Sequence, residues 1–263
     1  MSTPASTLQG THALIVRGLT KRYDVSVLDN FDLLVDDGEF VCLLGPNGCG
    51  KSTLLRILAG IEIPDGGDVL LHGSPLQERN RERHRIGYVF QEARLLPWRS
   101  VRDNVALAVK NVCGLDVSRA RSRAHQYLQL VGLAGFETYF PNRLSGGMQQ
   151  RASIARALAV QPEVLLMDEP FSALDPENRR ILQDELLRIW RETRVTVLFV
   201  THSVEEAFRL ASRVLVLSAR PMRVLLEIRP DTETDIQSTM QRVLQIFAEQ
   251  VRLQQGSALA VAS

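Results

Sequence analysis

Cysteine is scarce in this sequence. Cys42, Cys49 and Cys113 are the only three, and no two of them form a Cys-x-x-Cys pair. An odd, unpaired set excludes a disulfide framework and points to a reduced, cytosolic compartment. An excess of one charge is lacking too. Lys and Arg number 31 against 30 Asp and Glu, a net charge of +1, so no protein-wide basic field exists to gather nucleic acid. Long hydrophobic runs are absent. The longest apolar stretches, such as 195–200, are strand-length, well short of the roughly 18–20 residues that cross a bilayer. Any membrane role must therefore pass through a partner. Met1–Gly10 has neither a charged start nor an apolar run, so no secretory signal is expected there. What is present is an ordinary globular composition, 45% hydrophobic and 23% charged over 263 residues. That is enough for a proper core, in one large domain or two small ones.

Short apolar runs at 13–16, 40–44, 69–71, 86–90, 164–167, 195–200 and 214–217 read as buried strands. Most are followed by a turn and a helix-period stretch, which predicts a mainly parallel α/β sheet covered on both faces. The polar turn Asp36-Asp37-Gly38 leaves an antiparallel start open. Between about 92 and 160 no strand is expected. Helices are predicted at 101–112 and 118–131, with Ser118 as N-cap and Asp116 adding favourable charge, and a further helix from Gly146. An α-helical insert in an α/β core is the economical reading. Beyond Arg229, the residues Ile236, Met240, Val243, Leu244, Phe247 and Val251 recur at steps of three and four, one amphipathic helix packed back on the core. Gly256–Ser263 reads as a flexible tail of small residues.

Gly45-Pro46-Asn47-Gly48-Cys49-Gly50-Lys51-Ser52 fits G-x-x-x-x-G-K-[ST], between the strand 40–44 and a helix starting at Thr53. Glycines let backbone N–H groups turn towards phosphate oxygens, and the helix N-terminus adds positive potential. Lys51 would reach the β- and γ-phosphates, and the Ser52 hydroxyl would hold Mg²⁺. Cys49 lies in this loop near Lys51 and a helix N-terminus, which predicts a lowered thiol pKa and a reactive sulfur. Cys42, inside a strand, should be buried and inert, and Cys113 accessible.

The apolar strand 164–168 ends in Asp168-Glu169. Asp168 can reach Mg²⁺ through water, and Glu169 can polarise an attacking water. Leu144-Ser145-Gly146-Gly147 opens a helix, either as a plain cap or as a second anion site serving a nucleotide held by another subunit. His202 follows one strand and Gln91 ends another, where α/β folds bind ligands. Tyr23 either stacks on an adenine or is a surface aromatic. Asp175-Pro176-Glu177 reads as a helix cap. The basic run Arg79, Arg81, Arg83, His84, Arg85 is interrupted by Glu82 and reads as a solvated connection.

Together, and in this order, these residues resemble the nucleotide-binding subunit of an ATP-binding cassette transporter, over about 14–217. The resemblance implies a RecA-like P-loop core with an N-terminal antiparallel β part, spanning 12–228 with its helical insert at about 92–160, followed by a C-terminal helix and tail at 229–263. It implies an adenine-facing aromatic (Tyr23), ATP binding by Gly45 to Thr53, a metal-sensing Gln91, and Mg²⁺ held by Ser52, Gln91 and Asp168. Glu169 would be the base and His202 the γ-phosphate switch. Ser145, Gly146 and Gly147 would contact ATP across a head-to-tail homodimer, with Asp175 at the subunit contact. The fifth signature residue, usually Gln, is Met148 here. Leu95-Leu96-Pro97-Trp98 and Leu217-Ser218-Ala219-Arg220-Pro221 are similar to the nitrate, sulfonate and taurine importer branch, and Glu92-Ala93-Arg94 leans towards aliphatic sulfonates. Two transmembrane permease subunits, an extracytoplasmic solute-binding protein and a place on the cytoplasmic face of the bacterial inner membrane are then expected. Cassette ATPases of DNA repair or of the ribosome share these motifs. The first would need a long coiled coil between Ser52 and Leu144, where no sustained heptads occur. The second normally has two such domains in one chain.

Overall fold

The computed structural model describes residues 12–76 and 86–261, with side chains up to 253. The basic run at 79–85 and the segment Met1–Gly10 lie outside the described residues. The chain opens with two long strands, β1 (His12–Arg22) and β2 (Ser26–Asp36). β3 (Phe40–Leu44) leads into α1 (Lys51–Leu58). β4 (Gly66–Leu71), β5 (Ser74–Pro75) and β6 (Ile86–Val89) follow. The helical insert holds α2 (Val101–Cys113), α3 (Val117–Leu130) and α4 (Gly146–Leu158). Then come β7 (Val164–Asp168), α5 (Pro176–Thr193), β8 (Thr196–Thr201), α6 (Val204–Leu210), β9 (Arg213–Leu217) and β10 (Val224–Ile228). A long helix, α7 (Ile236–Val261), ends the described chain.

Two sheets form. The first is antiparallel, in the order β2-β1-β4-β5, and the second runs β10-β9-β3-β8-β7-β6. In the second, β9, β3, β8, β7 and β6 are parallel, and only the edge strand β10 is antiparallel. β3 sits centrally, so every one of its residues is buried. Phe40, Cys42 and Leu44 point to the face covered by the insert, α5, α6 and α7, whereas Val41 and Leu43 point to the face covered by α1 and the antiparallel sheet. A parallel strand buried on both faces reads as a continuous apolar run rather than an alternating one. Each such side chain stabilises the fold by about 1.5–3 kcal/mol.

Several expectations need correction. β2 is not among the expected strands, although Phe31, Leu33 and Val35 are buried and alternate with exposed Asp32 and Leu34. Nor is β10, an edge strand whose mostly exposed residues carry no period. α3 is capped by Asp116, not Ser118. The Asp116 Oδ1 accepts from the Arg119 N–H at 2.9 Å, which starts the helix one residue earlier than expected. On α7, Met240, Val243, Ile246 and Phe247 pack on the core, whereas Leu244 and Ile236 are exposed. The helix continues through Gly256 to Val261, because one glycine costs only about 1 kcal/mol in a helix and the residues after it include good helix formers. Ala262 and Ser263 lie outside the described residues.

Candidate active site

The C-terminal ends of β3, β7 and β8 converge. Gly45–Gly50 links β3 to α1 as a tight loop, with Gly48 at φ 76° and Gly50 at φ 125°. Gly50 is required twice over, since a Cβ there would also meet Val27 Cγ1 at 2.7 Å. It is the N-cap of α1, offers no side-chain oxygen, and no acidic residue follows in the first turn. The positive end of the helix is thus left for an external anion. Lys51 is buried, and its Nζ donates to the carbonyls of Gly45 at 2.7 Å and Pro46 at 2.9 Å.

β7 delivers the two carboxylates. The Ser52 Oγ donates to Asp168 Oδ1 at 2.9 Å, and the Tyr88 hydroxyl donates to Asp168 Oδ2 at 3.2 Å. Burial, then the neighbouring Asp168, hold the Tyr88 hydroxyl far above its ordinary pKa, so it stays a donor. Glu169 adopts the left-handed region, φ 44°, a conformation that side-chain-bearing residues rarely take. Its amide donates to the Val200 carbonyl of β8 at 3.1 Å. That geometry sets Oε1 4.0 Å from Lys51 Nζ and Oε2 2.9 Å from His202 Nδ1. A carboxylate between an ammonium and an imidazole can take a proton from water beside an oligophosphate.

A cleft of about 260 Å³ opens over this cluster, lined by Tyr23, Gly48, Gly50, Lys51, Ser52, Thr53, Glu169 and Arg220 among others. Tyr23 stands half exposed at its rim, with its hydroxyl on Glu62 and Lys21 Nζ 5.4 Å from its ring centre. Partial desolvation, then Glu62, raise its hydroxyl pKa.

Other predicted residues do not line the cleft. Gln91 lies beyond the end of β6 and is exposed. Asp175 caps α5, accepting from the Asn178 N–H at 3.0 Å and Nδ2 at 2.7 Å, contacts that lower its carboxyl pKa. Ser145 caps α4, accepting from the Met148 N–H at 3.3 Å. A Cβ at Gly146 would meet nothing within 4 Å, and one at Gly147 only Asn178 at 4.0 Å. Nothing described in this chain explains two glycines there. The Met148 side chain packs against the core while its backbone serves Ser145, so the departure from the usual signature leaves the cap intact.

The reactive-thiol expectation for Cys49 is overturned. The sulfur is fully buried among Val27, Leu54 and their neighbours, and burial raises its pKa despite Lys51. The loop turns its backbone outward and this side chain inward, so desolvation outweighs the local positive charge. Cys42 is buried as expected, and Cys113 is partly accessible.

Tyr88, Arg220 and Asn104 take site roles that the sequence alone does not assign, Arg220 standing there only within the branch-like Leu217–Pro221. Asn104 is buried in α2, accepts from the Leu96 N–H at 2.7 Å and donates to the carbonyls of Leu96, Arg99 and Ser100, shaping the loop that presents Trp98. Only Asn104's polarity on the apolar face of α2 hinted at this role.

Comparison with known proteins gives a consistent answer. The family described as ABC transporter matches residues 28–172. Over 210 residues the chain is 46% identical to a nitrate import ATP-binding protein of Synechococcus elongatus, covering 80% of this chain and 76% of that one. It is 39% identical over 230 residues to an aliphatic sulfonates import ATP-binding protein of Bacillus cereus, covering 85% and 89%. Its fold matches a dimeric ATP-binding cassette in a post-hydrolysis state bound to ADP and Pi, with a TM-score of 0.73, 31% identity and coverage of 82% and 98%.

Proposed function

The chain belongs to the ABC transporter family as an ATP-hydrolysing subunit, and we propose that it powers import of a small oxyanion, a sulfonate, taurine or nitrate, through separate membrane-spanning subunits. The observation that carries the mechanism is the contact of Glu169, which lines the cleft beside Lys51, with both Lys51 and His202, its Oε2 lying 2.9 Å from His202 Nδ1 and its Oε1 4.0 Å from Lys51 Nζ. Lys51 and the loop amides hold the β- and γ-phosphates. Glu169 accepts a proton from the attacking water, and His202 orients that carboxylate and contacts the γ-phosphate. Tyr23 stacks on the adenine.

Mg²⁺ fits the donor set. Among the described residues no three His, Cys, Asp or Glu gather into a metal cluster, and the oxygens at hand are Asp168 with the Ser52 and Tyr88 hydroxyls bonded to it. Such a sparse oxygen set suits Mg²⁺, which keeps waters and takes phosphate oxygens as ligands. Gln91 would join it when nucleotide binds. Bound there, the ion neutralises charge on the β- and γ-phosphates.

The open space above Gly146 and Gly147 supports a head-to-tail homodimer, in which Ser145-Gly146-Gly147 of one copy covers the ATP of the other. Asp175 sits beside that contact. Trp98, 70% exposed on the insert, and the exposed Phe136, Tyr139 and Phe140, whose loop is bonded to the start of α2 through Val101 N–H and the Tyr139 carbonyl at 2.8 Å, suit docking of the permease. Among the described residues no helix is long and apolar enough to cross a membrane, in keeping with a peripheral subunit at the cytoplasmic face. A solute-binding protein would select the solute, and the branch-like 95–98 element together with the two importer relatives supports the oxyanion class.

The test is deletion of the gene followed by growth with nitrate as sole nitrogen source, or with taurine or an alkanesulfonate as sole sulfur source. Loss of growth on one of the three identifies the solute. Wild-type growth on all three overturns the oxyanion reading while leaving the ATPase untouched.

A further inference from the structure

Arg220 lies between β9 and β10, outside every nucleotide motif read from the sequence. Its Nε donates to the Gly48 carbonyl in the phosphate loop, and the side chain lines the same cleft as Lys51 and Thr53. Among the described residues that carbonyl is the guanidinium's one hydrogen-bond partner, and no carboxylate pairs with it. Arg188, Arg209 and Arg213, by contrast, are each paired with acidic side chains. A guanidinium has five N–H donors, so four remain beside the phosphate loop.

The segment that carries Arg220 is held from several sides. The Ala219 N–H donates to Gln250 Oε1 of α7 at 3.0 Å, and the Met222 N–H donates to the Val27 carbonyl at 3.0 Å. The Ser218 hydroxyl shares its one proton between the carbonyls of Ala219 and Pro221 and accepts from the Arg223 N–H. Leu217 packs so closely on the loop that a Cβ at Gly45 would meet it at 3.0 Å. A cation carried on an anchored turn keeps its position at little entropic cost.

We propose that Arg220 is a nucleotide-binding residue, a second cation beside Lys51 that engages the phosphate chain of bound ATP, on a turn that α7 anchors through Gln250. The proposal rests on the reading of this cleft as the ATP site. A planar guanidinium meets phosphate oxygens in pairs, and its bond to Gly48 keeps it on the loop where those oxygens lie.

The test is equilibrium binding of ATP, ADP and adenosine to the full-length protein and to Arg220→Lys, Arg220→Gln and Arg220→Ala, with thermal melting to verify folding. Loss of a charge-assisted hydrogen bond predicts ATP and ADP affinity about tenfold weaker or more in the Gln and Ala variants. Lys keeps the charge but loses the paired planar donors, so its ATP and ADP affinity should fall between wild type and the Gln variant, and adenosine affinity should not change. Gln retains a donor for the Gly48 carbonyl. If Gln binds ATP like wild type while Ala does not, Arg220 is only a clamp on the loop and the proposal falls. Equal loss for adenosine and ATP, or no loss at all, overturns it as well. A wild-type protein that fails to bind ATP would instead sink the reading of the cleft itself, and the proposal with it.

Discussion

Gln150 Nε2 donates to the backbone carbonyl of Phe90 at 3.0 Å. This bond joins α4, the helix opened by Ser145-Gly146-Gly147, to the residue just before Gln91. On the other side of Gln91, Arg156 of the same helix donates to the carbonyls of Ala93 at 2.9 Å and Arg94 at 2.7 Å. The segment around Gln91 is therefore fastened to α4, and a movement of either must carry the other. Gln150→Leu leaves the Phe90 carbonyl without this donor and should cost about 1–3 kcal/mol. Urea unfolding measures that directly; an unchanged midpoint would show the bond to be dispensable.

Glu169→Gln keeps the shape and loses the basicity. Hydrolysis should fall by about 10²–10⁴-fold while ATP binding persists, and the trapped nucleotide should hold a dimer visible by gel filtration. Turnover at the wild-type rate would remove Glu169 from the role of base.

Ser145→Arg places a bulky cation where a partner's nucleotide would sit. Because Ser145 does not line the cleft of its own chain, ATP affinity of the isolated subunit should change by less than about twofold, within the ±0.5 kcal/mol usual for surface substitutions, while hydrolysis is lost. A collapse of monomeric ATP affinity would contradict the two-subunit arrangement.

Trp98→Ala removes an exposed ring and should barely alter stability or the ATPase rate of the free subunit. Permease association should weaken by about 2 kcal/mol or more if Trp98 is a central anchor. Co-purification with the permease reads this out, and full assembly by the variant would dismiss the anchor.

Maleimide should label Cys113 in the native protein and leave Cys42 and Cys49 untouched, so the ATPase survives treatment. Burial raises both inner thiols. The unfolded thiol ionises near pH 8.5, so the stability these groups contribute is complete below that pH. It is lost as pH rises towards their higher folded values. Labelling of Cys49 should therefore appear only as alkaline unfolding sets in, and mass spectrometry of labelled peptides across pH 7–10 checks it. Rapid modification of Cys49 at pH 7 would refute its burial.

What the amino-acid order determined by itself is what near neighbours in the chain decide. Eight consecutive residues, Gly45 to Ser52, carry the tight loop between β3 and α1 and the open helix start after it, because their glycines and helix start act locally. Asp175 caps α5 three residues from Asn178. The unbroken apolar run of β3 announced burial on both faces. Tertiary structure decided the rest, because burial and pairing depend on elements brought together from far along the chain. Glu169 meets His202 across 33 residues, Tyr88 meets Asp168 across 80, and Arg220 meets Gly48 across 172. Cys49 shows the division most plainly. Its neighbours in sequence predict a charged sulfur, but β2 and α1 pack over it, and removal from water, which only the fold imposes, outweighs the nearby lysine.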